Sequence, residues 1–60
     1  MDAKKTGAYL ADLRRARGLT QQEAADQLGV SNKTVSKWEN GAGLPDITVL
    51  PALAELYCVT

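Results

Sequence analysis

Apolar positions recur along the chain with helical spacing, and residues that begin or end helices divide this pattern into segments. Leu10, Leu13 and Ala16 recur every third position, which predicts a first helix with one buried side. We expect Thr6 to cap its start, because a threonine hydroxyl can accept a backbone N–H from the opening turn. Gly18 would end the helix.

A second helix is predicted to begin at Gln21. The residues Thr20-Gln21-Gln22-Glu23 have the T-x-x-E form of a capping box, in which the first and last side chains each bond the other's backbone N–H. Ala24, Ala25 and Leu28 would form the buried side of this helix. Gly29 would end it after about two turns.

The third predicted helix follows Ser31, which can cap it, and runs to about Asn40. Val35 and Trp38 are its apolar residues, and their spacing places both on one face. The opposite face is polar and consists of Asn32, Lys33, Ser36 and Lys37.

The remainder of the chain predicts a loop, a turn and a last helix. Residues 41–45 are rich in glycine and end in Pro45, which indicates a loop, and Asp46 can cap a short turn that follows. Pro51 suits the first turn of a helix over about residues 50–57. The buried side of that helix is predicted to be Leu50, Leu53, Ala54 and Tyr57. No alternating run predicts a strand, so we expect an all-α fold of four short helices.

The composition limits the chemistry that this chain can perform. It has 60 residues, enough for one domain, with no His and a single Cys. These counts exclude an internal disulfide, a cysteine zinc site and most nucleophile–base pairs, so we expect no enzyme, no cofactor and no metal. One cysteine and no apolar run of about 20 residues favour a reducing compartment, the cytoplasm, over a membrane.

The formal charge of zero conceals an uneven distribution of charge along the chain. All seven cations lie within residues 1–37 with only four acids, which leaves a balance of +3 there. Residues 38–60 carry three acids and no cation, a balance of −3. The neutral total therefore does not argue against a negatively charged partner such as nucleic acid.

Residues 21–40 have the form of two short helices joined by a three-residue turn. Ala25 supplies the small side chain needed where two helices cross closely, and Gly29 supplies a residue that accepts positive φ in the turn. The second of these helices presents its polar face outward, and such a helix fits the major groove of DNA.

The sequence resembles the phage repressor/Cro-like (XRE) family of helix-turn-helix regulators. The resemblance covers nearly the whole chain as one domain, 1–60, with its helix-turn-helix core at 21–40. It implies a lambda-repressor-like fold, and it is carried by Leu13-Arg14, Gly18-Leu19-Thr20-Gln21, Leu28-Gly29-Val30-Ser31, Val35 to Gly41, Leu44-Pro45-Asp46 and Leu53 to Tyr57.

Three positions depart from the family pattern. Ala24 stands where Leu is common, and Cys58 stands where a glycine usually closes the fourth helix. The family's fifth helix is absent from this sequence. The chain is thus expected to be either an excised domain or one whose missing apolar surface is supplied by a partner.

The resemblance also implies roles for individual residues. Gln21, Thr34 and Asn40 match positions that contact DNA phosphates, and Arg14 and Glu39 match an ion pair between the first and third helices. The positions that face base edges are Asn32, Lys33, Ser36 and Lys37. Their chemistry agrees, because Asn can pair with adenine and Lys can donate to guanine.

The function implied by the resemblance is sequence-specific binding of double-stranded DNA by a transcriptional regulator. We expect a repressor that acts by occupying an operator, and a homodimer on DNA because one module makes few phosphate contacts. The alternative is a protein-interaction or antitoxin-like module that retains this fold. The reason to consider this alternative is the apolar surface that we expect to be exposed at Leu56, Tyr57 and Val59.

Overall fold

The computed structural model describes residues 2–59 and confirms an all-α fold with four helices. They are α1 (Ala3–Ala16), α2 (Gln21–Leu28), α3 (Asn32–Glu39) and α4 (Leu50–Tyr57). α1 packs against α3, and α2 packs against both α3 and α4. None of the helices in this described part of the chain has the length and apolarity needed to cross a membrane.

The prediction that Thr6 caps the first helix is wrong, because α1 begins at Ala3. The Asp2 carboxylate accepts the backbone N–H groups of Lys4 at 2.9 Å and Lys5 at 3.2 Å, and it therefore caps the helix. An aspartate satisfies these free donors at least as well as a threonine does. Thr6 lies in the second turn, where its backbone N–H bonds to the carbonyl of Asp2.

The second helix begins as the sequence predicts. The Thr20 hydroxyl accepts the backbone N–H of Glu23 at 3.1 Å, and the Glu23 carboxylate accepts the backbone N–H of Thr20 at 2.9 Å. The capping box is therefore complete. Both hydrogen bonds with Thr20 lower the pKa of Glu23, and the bond from the Thr20 backbone N–H has the larger effect.

The turn between α2 and α3 confirms the role predicted for Gly29. Its φ of 73° lies in the left-handed region, and the next backbone N–H, that of Val30, bonds to the carbonyl of Ala25 at 3.0 Å. The Ser31 side chain then caps α3 by accepting the backbone N–H of Thr34 at 3.2 Å. The turn is thus fixed by a backbone hydrogen bond on the side of α2 and by a side-chain hydrogen bond on the side of α3.

The last helix has the predicted bounds, with Pro51 in its first turn. Asp46 caps the turn before it by accepting the backbone N–H of Thr48 at 3.1 Å. Cys58 follows the last residue of α4, and its φ of 56° makes it the one non-glycine residue with positive φ between residues 2 and 59. The usual glycine position of the family is thus occupied by a residue in a strained conformation.

The core lies where the four helices meet. Its buried cluster contains Ala25, Val35, Trp38, Leu53 and Tyr57. Partly buried side chains pack around this cluster, including Leu10, Leu13, Leu28, Val30, Leu56 and Val59.

The core differs from the prediction in several places. Ala16 and Leu50 are exposed, Ala54 is half-buried, and Ala11 is buried instead of Ala16. A three-residue spacing drifts around a helix of 3.6 residues per turn, so its last member leaves the buried face.

The burial of Tyr57 that the helical pattern predicts is confirmed, whereas the exposed apolar surface that the protein-interaction alternative expects at Leu56, Tyr57 and Val59 is not found. Tyr57 is only 5% exposed, and Leu56 and Val59 pack partly against the core. Burial raises the pKa of Tyr57, and the nearby Glu39 carboxylate raises it further. The observation that motivated a protein-interaction module is therefore much weaker.

Two small residues set the distances between helices. Ala24 is fully buried, so neighbouring atoms cover the position where a larger leucine is common in the family. A Cβ atom at Gly7 would overlap the backbone carbonyl oxygen of Trp38 and lie 2.8 Å from that of Glu39. The end of α3 therefore approaches α1 so closely that only glycine fits at this position.

Candidate nucleic-acid interface

α3 is anchored by two buried side chains and presents its polar face to solvent. Val35 is 1% exposed and Trp38 is 7% exposed, which confirms that both anchor the helix in the core. On the other side, Asn32, Lys33 and Lys37 are exposed and Ser36 is half-buried. The structure therefore brings the four residues predicted to face bases together on one accessible helix face.

An ion pair joins α1 to the end of α3. The Arg14 guanidinium donates from Nε to Glu39 Oε2 at 2.8 Å and from a second nitrogen to Oε1 at 3.0 Å. Its remaining terminal nitrogen donates to the carbonyl of Leu19 at 2.8 Å. Arg14 is only 9% exposed, so this guanidinium is committed to the protein interior.

Gln21 extends the same network to α2. Its side-chain Nε2 donates to Glu39 Oε1 at 3.0 Å, and Gln21 itself is half-buried. The Glu39 carboxylate thus receives bonds from α1 and α2 while it lies on α3. This arrangement fixes the direction of the Gln21 amide, since a carboxylate can only accept hydrogen bonds.

The network alters the protonation of both charged groups. Burial by itself would raise the pKa of Glu39, but the hydrogen bonds from Arg14 and Gln21 and the nearby positive charge outweigh it, so this pKa lies below its ordinary value. The hydrogen bond from Arg14 to Glu39 raises the pKa of Arg14. Both groups are therefore held in their charged forms at neutral pH.

A second polar connection links α2 to α3 and was not predicted from the sequence. Asn32 Nδ2 donates to Gln22 Oε1 at 2.8 Å, and Gln22 Nε2 donates to Asp26 Oδ1 at 2.7 Å. The sequence offers one signal for part of it, because residues 22 and 26 lie four apart on a helix and so face each other. The bond to Asn32 depends on the crossing of the two helices, which the sequence does not display.

The remaining predicted site residues lie at the two ends of α3. The Thr34 hydroxyl is 3.0 Å from the Ser31 hydroxyl in the first turn. Asn40 follows the last residue of α3, is exposed, and donates from Nδ2 to Ser36 Oγ at 3.3 Å. Gln21 is the first residue of α2, so the three residues predicted to contact phosphates all lie in a terminal turn of a helix or next to one.

The cations of this domain differ in whether they are already paired with an acidic side chain. Arg14 is committed to Glu39, and Arg15 lies 3.6 Å from Asp12 in an exposed pair that contributes little to stability. Lys33 and Lys37 are both exposed on α3. These two lysines therefore supply the positive charge of the helix face, while the buried arginine supplies structure.

Comparison with known proteins identifies the family. A family model described as a helix-turn-helix domain matches residues 6–60. The chain belongs to this helix-turn-helix family. It is 41% identical over 51 residues to the HTH-type transcriptional activator BcrR of Enterococcus faecalis, covering 85% of this chain and 25% of that protein. It is also 41% identical over 56 residues to the ImmF control region 10 kDa protein of Bacillus phage phi105, covering 93% of this chain and 62% of that protein.

The fold is shared with a solved regulator. The structure of the clp gene regulator ClgR from C. glutamicum superposes with a TM-score of 0.89 at 23% identity, over 100% of this chain and 77% of that one. This helix-turn-helix domain therefore has the four-helix architecture that the resemblance to phage repressors predicts. It spans a quarter of the length of the activator and 62% of the phage protein.

Proposed function

We propose that this helix-turn-helix domain binds double-stranded DNA in a sequence-specific manner as part of a transcriptional regulator. The observation that carries the proposal is the exposed polar face of α3, which holds Asn32, Lys33, Ser36 and Lys37 over a buried Val35–Trp38 anchor. A rigid helix of this kind fits the major groove, where amide and ammonium groups distinguish base edges.

Phosphate contacts would position this helix. We infer these contacts for Gln21, Thr34 and Asn40, which lie at or near helix ends and carry N–H or O–H groups that suit the oxygen acceptors of the DNA backbone. The Arg14–Glu39–Gln21 network supports this role, because it holds three helices in one arrangement before DNA is bound. Such preorganisation lowers the entropy lost on binding.

The mode of action that we propose is repression by occupying an operator as a homodimer. The face of α3 carries two exposed lysines, so a single copy would make few phosphate contacts, bind weakly and show a modest salt dependence. Two copies on neighbouring half-sites double the contacts. Of the two relatives, one is named an activator and the other belongs to a phage control region, so their names do not decide between activation and repression. A reporter gene with the selected operator upstream distinguishes the two modes.

The proposed role is binding without catalysis, and we place the protein in the cytoplasm, together with the DNA that it would bind. Among residues 2–59, no group of three potential metal-ligating side chains lies close together. Neither a metal nor a cofactor takes part in the proposal.

The first test is titration of the domain with a random-sequence DNA duplex at low salt. We expect weak binding that falls as the salt concentration rises. An absence of binding at tens of micromolar would overturn the proposed function. Selection of bound sites from a random pool then reports base preference and half-site spacing together.

A further inference from the structure

Three exposed side chains form a chain of hydrogen bonds that ends on the polar face of α3. Asp26 and Gln22 lie one turn apart on α2, and Asn32 is the first residue of α3. Gln22 Nε2 donates to Asp26 Oδ1 at 2.7 Å, and Gln22 Oε1 accepts from Asn32 Nδ2 at 2.8 Å. The residue at the start of this relay, Asp26, is not among those expected to contact DNA.

The order of donors and acceptors in this relay is dictated by its carboxylate. An ionised carboxylate has only acceptors, so Gln22 must turn its NH2 group towards Asp26. The carbonyl oxygen of Gln22 then faces Asn32, which must present its own NH2 group. An isolated amide could adopt either of two orientations related by a half-turn. Here the carboxylate favours one orientation for both amides.

We propose that Asp26 and Gln22 are positioning residues that set the base preference of Asn32. With its nitrogen held on the side of Gln22 and its oxygen on the far side, Asn32 presents one N–H and one acceptor in a fixed order. Adenine offers N7 as acceptor and N6 as donor in the major groove, also in a fixed order. The relay therefore selects an A·T pair in one orientation. This inference rests on the proposed function.

The other amides on this surface show why the carboxylate matters. Asn40 donates to the Ser36 hydroxyl at 3.3 Å, and a hydroxyl can act as donor or acceptor, so this bond leaves both orientations of Asn40 available. Gln21, in contrast, donates to the Glu39 carboxylate and is oriented in the same manner as Gln22. Asn32 is the amide predicted to face bases, and Gln22 links it to the carboxylate of Asp26.

The test replaces the carboxylate and keeps its size. Asp26→Asn offers both a donor and an acceptor to Gln22, so the half-turn of both amides becomes possible. The matched control is Asp12→Asn, which removes the same charge from an exposed aspartate on α1. Gln22→Met is the second variant, since it breaks the relay without changing charge. Wild-type protein first defines the selected site, and Asn32→Ala identifies the base pair that Asn32 reads.

We expect Asp26→Asn and Gln22→Met to reduce the preference for adenine at that base pair by about five- to tenfold, within the range of one bidentate contact. Preferences at the other positions should remain, and Asp12→Asn should keep the wild-type preference throughout. Without DNA, the side-chain amide resonances of Asn32 should shift in Asp26→Asn and stay in place in Asp12→Asn.

The outcomes separate this inference from the proposed function. If the wild type selects a site and both relay variants retain its full adenine preference, the positioning role is wrong and the proposed function stands. A uniform loss across all positions would likewise overturn it, because that pattern belongs to a phosphate contact. A wild type without DNA affinity would overturn both.

Discussion

Cys58 is a residue whose backbone conformation conflicts with its side chain. Its φ of 56° places it in the left-handed region, which glycine adopts without the steric conflict of a Cβ. We expect Cys58→Gly to stabilise the domain by about 0.5–1 kcal/mol, with a rise of several degrees in Tm. Thermal unfolding followed by circular dichroism measures this change.

The control for this prediction removes the thiol and keeps the Cβ. Cys58→Ala retains the conflict at positive φ, so its Tm should stay near that of the wild type. An equal rise in both variants would show that the sulfur atom, and not the backbone conformation, is unfavourable.

The DNA-facing residues divide into two roles that single substitutions can separate. Lys37 lies on the exposed face of α3, so Lys37→Ala should relax base preference at one or two positions by about 1–3 kcal/mol. Gln21→Ala should weaken binding to all sequences about equally. Competition titrations with the selected site and its single-base variants measure both effects.

Gln21→Ala also removes a hydrogen bond to Glu39, so its affinity is compared at a temperature where circular dichroism shows the folded state. If Lys37→Ala and Gln21→Ala changed affinity in the same pattern across the site variants, the division between base and phosphate contacts would be wrong.

At the scale of helices, the contact between α1 and α3 depends on Gly7. Exchanging a helical glycine for alanine normally stabilises by up to about 1 kcal/mol. Here the new methyl group would overlap the Trp38 carbonyl oxygen, and forcing extra volume into a packed contact costs about 1–3 kcal/mol. We therefore expect Gly7→Ala to destabilise the domain in urea unfolding.

Ala8→Gly provides the matched comparison, because residue 8 is exposed on the same helix. It should destabilise by about 1 kcal/mol through helix propensity alone. A stabilised Gly7→Ala variant would show that α1 and α3 can separate without loss, contrary to the close packing described above.

The network that joins three helices through Glu39 should make stability depend on pH. The pKa of Glu39 is lowered in the folded state, so its contribution is present above the ordinary glutamate pKa of about 4.3 and is lost as the pH falls through the lower folded value. We expect acid to destabilise the wild type in this range. Glu39→Gln should be less stable at neutral pH and show a shallower acid dependence.

Urea midpoints measured from about pH 7 down to pH 3 test this difference. Parallel pH profiles for the wild type and Glu39→Gln would contradict a lowered pKa at this carboxyl. Glu23 also has a lowered pKa, so a residual acid dependence is expected in Glu39→Gln.

Local signals in the sequence were sufficient for most helix boundaries. The capping box at Thr20, the glycine at position 29 and the proline at position 51 each act within a few residues, so their effects can be deduced from neighbours alone. The relay through Gln22 and the close approach at Gly7 join residues distant along the chain. They depend on helix crossing, which no local pattern specifies.

The same limit explains the errors in burial. Leu50 is apolar and falls on the side of α4 predicted to be buried, yet it is 47% exposed because α4 is packed mainly against α2 and not covered at its start. Periodicity identifies an apolar face, but the neighbouring helices decide how much of that face is covered.

For the whole molecule, the seven cations do not contribute equally to the attraction of DNA. The guanidinium of Arg14 is buried against Glu39, so one of the seven cations contributes to helix packing and little to attraction of DNA. Each phosphate neutralised contributes about 0.9 to the slope of log affinity against log salt concentration. Only Lys33 and Lys37 are exposed cations on α3, so a single domain should show a shallow slope, and much of its useful affinity must come from a second copy.

The size of the domain is compatible with two copies side by side on one face of DNA. Its Cα atoms extend over 24 × 23 × 22 Å, whereas half-sites one helical turn apart are separated by about 34 Å. We expect cooperative binding at that spacing. Inserting about five base pairs would place the copies on opposite faces and remove the cooperativity, and about ten would return them to the same face. Gel-shift titrations of the three spacings test this, and equal, independent occupancy at all of them would contradict binding as a homodimer.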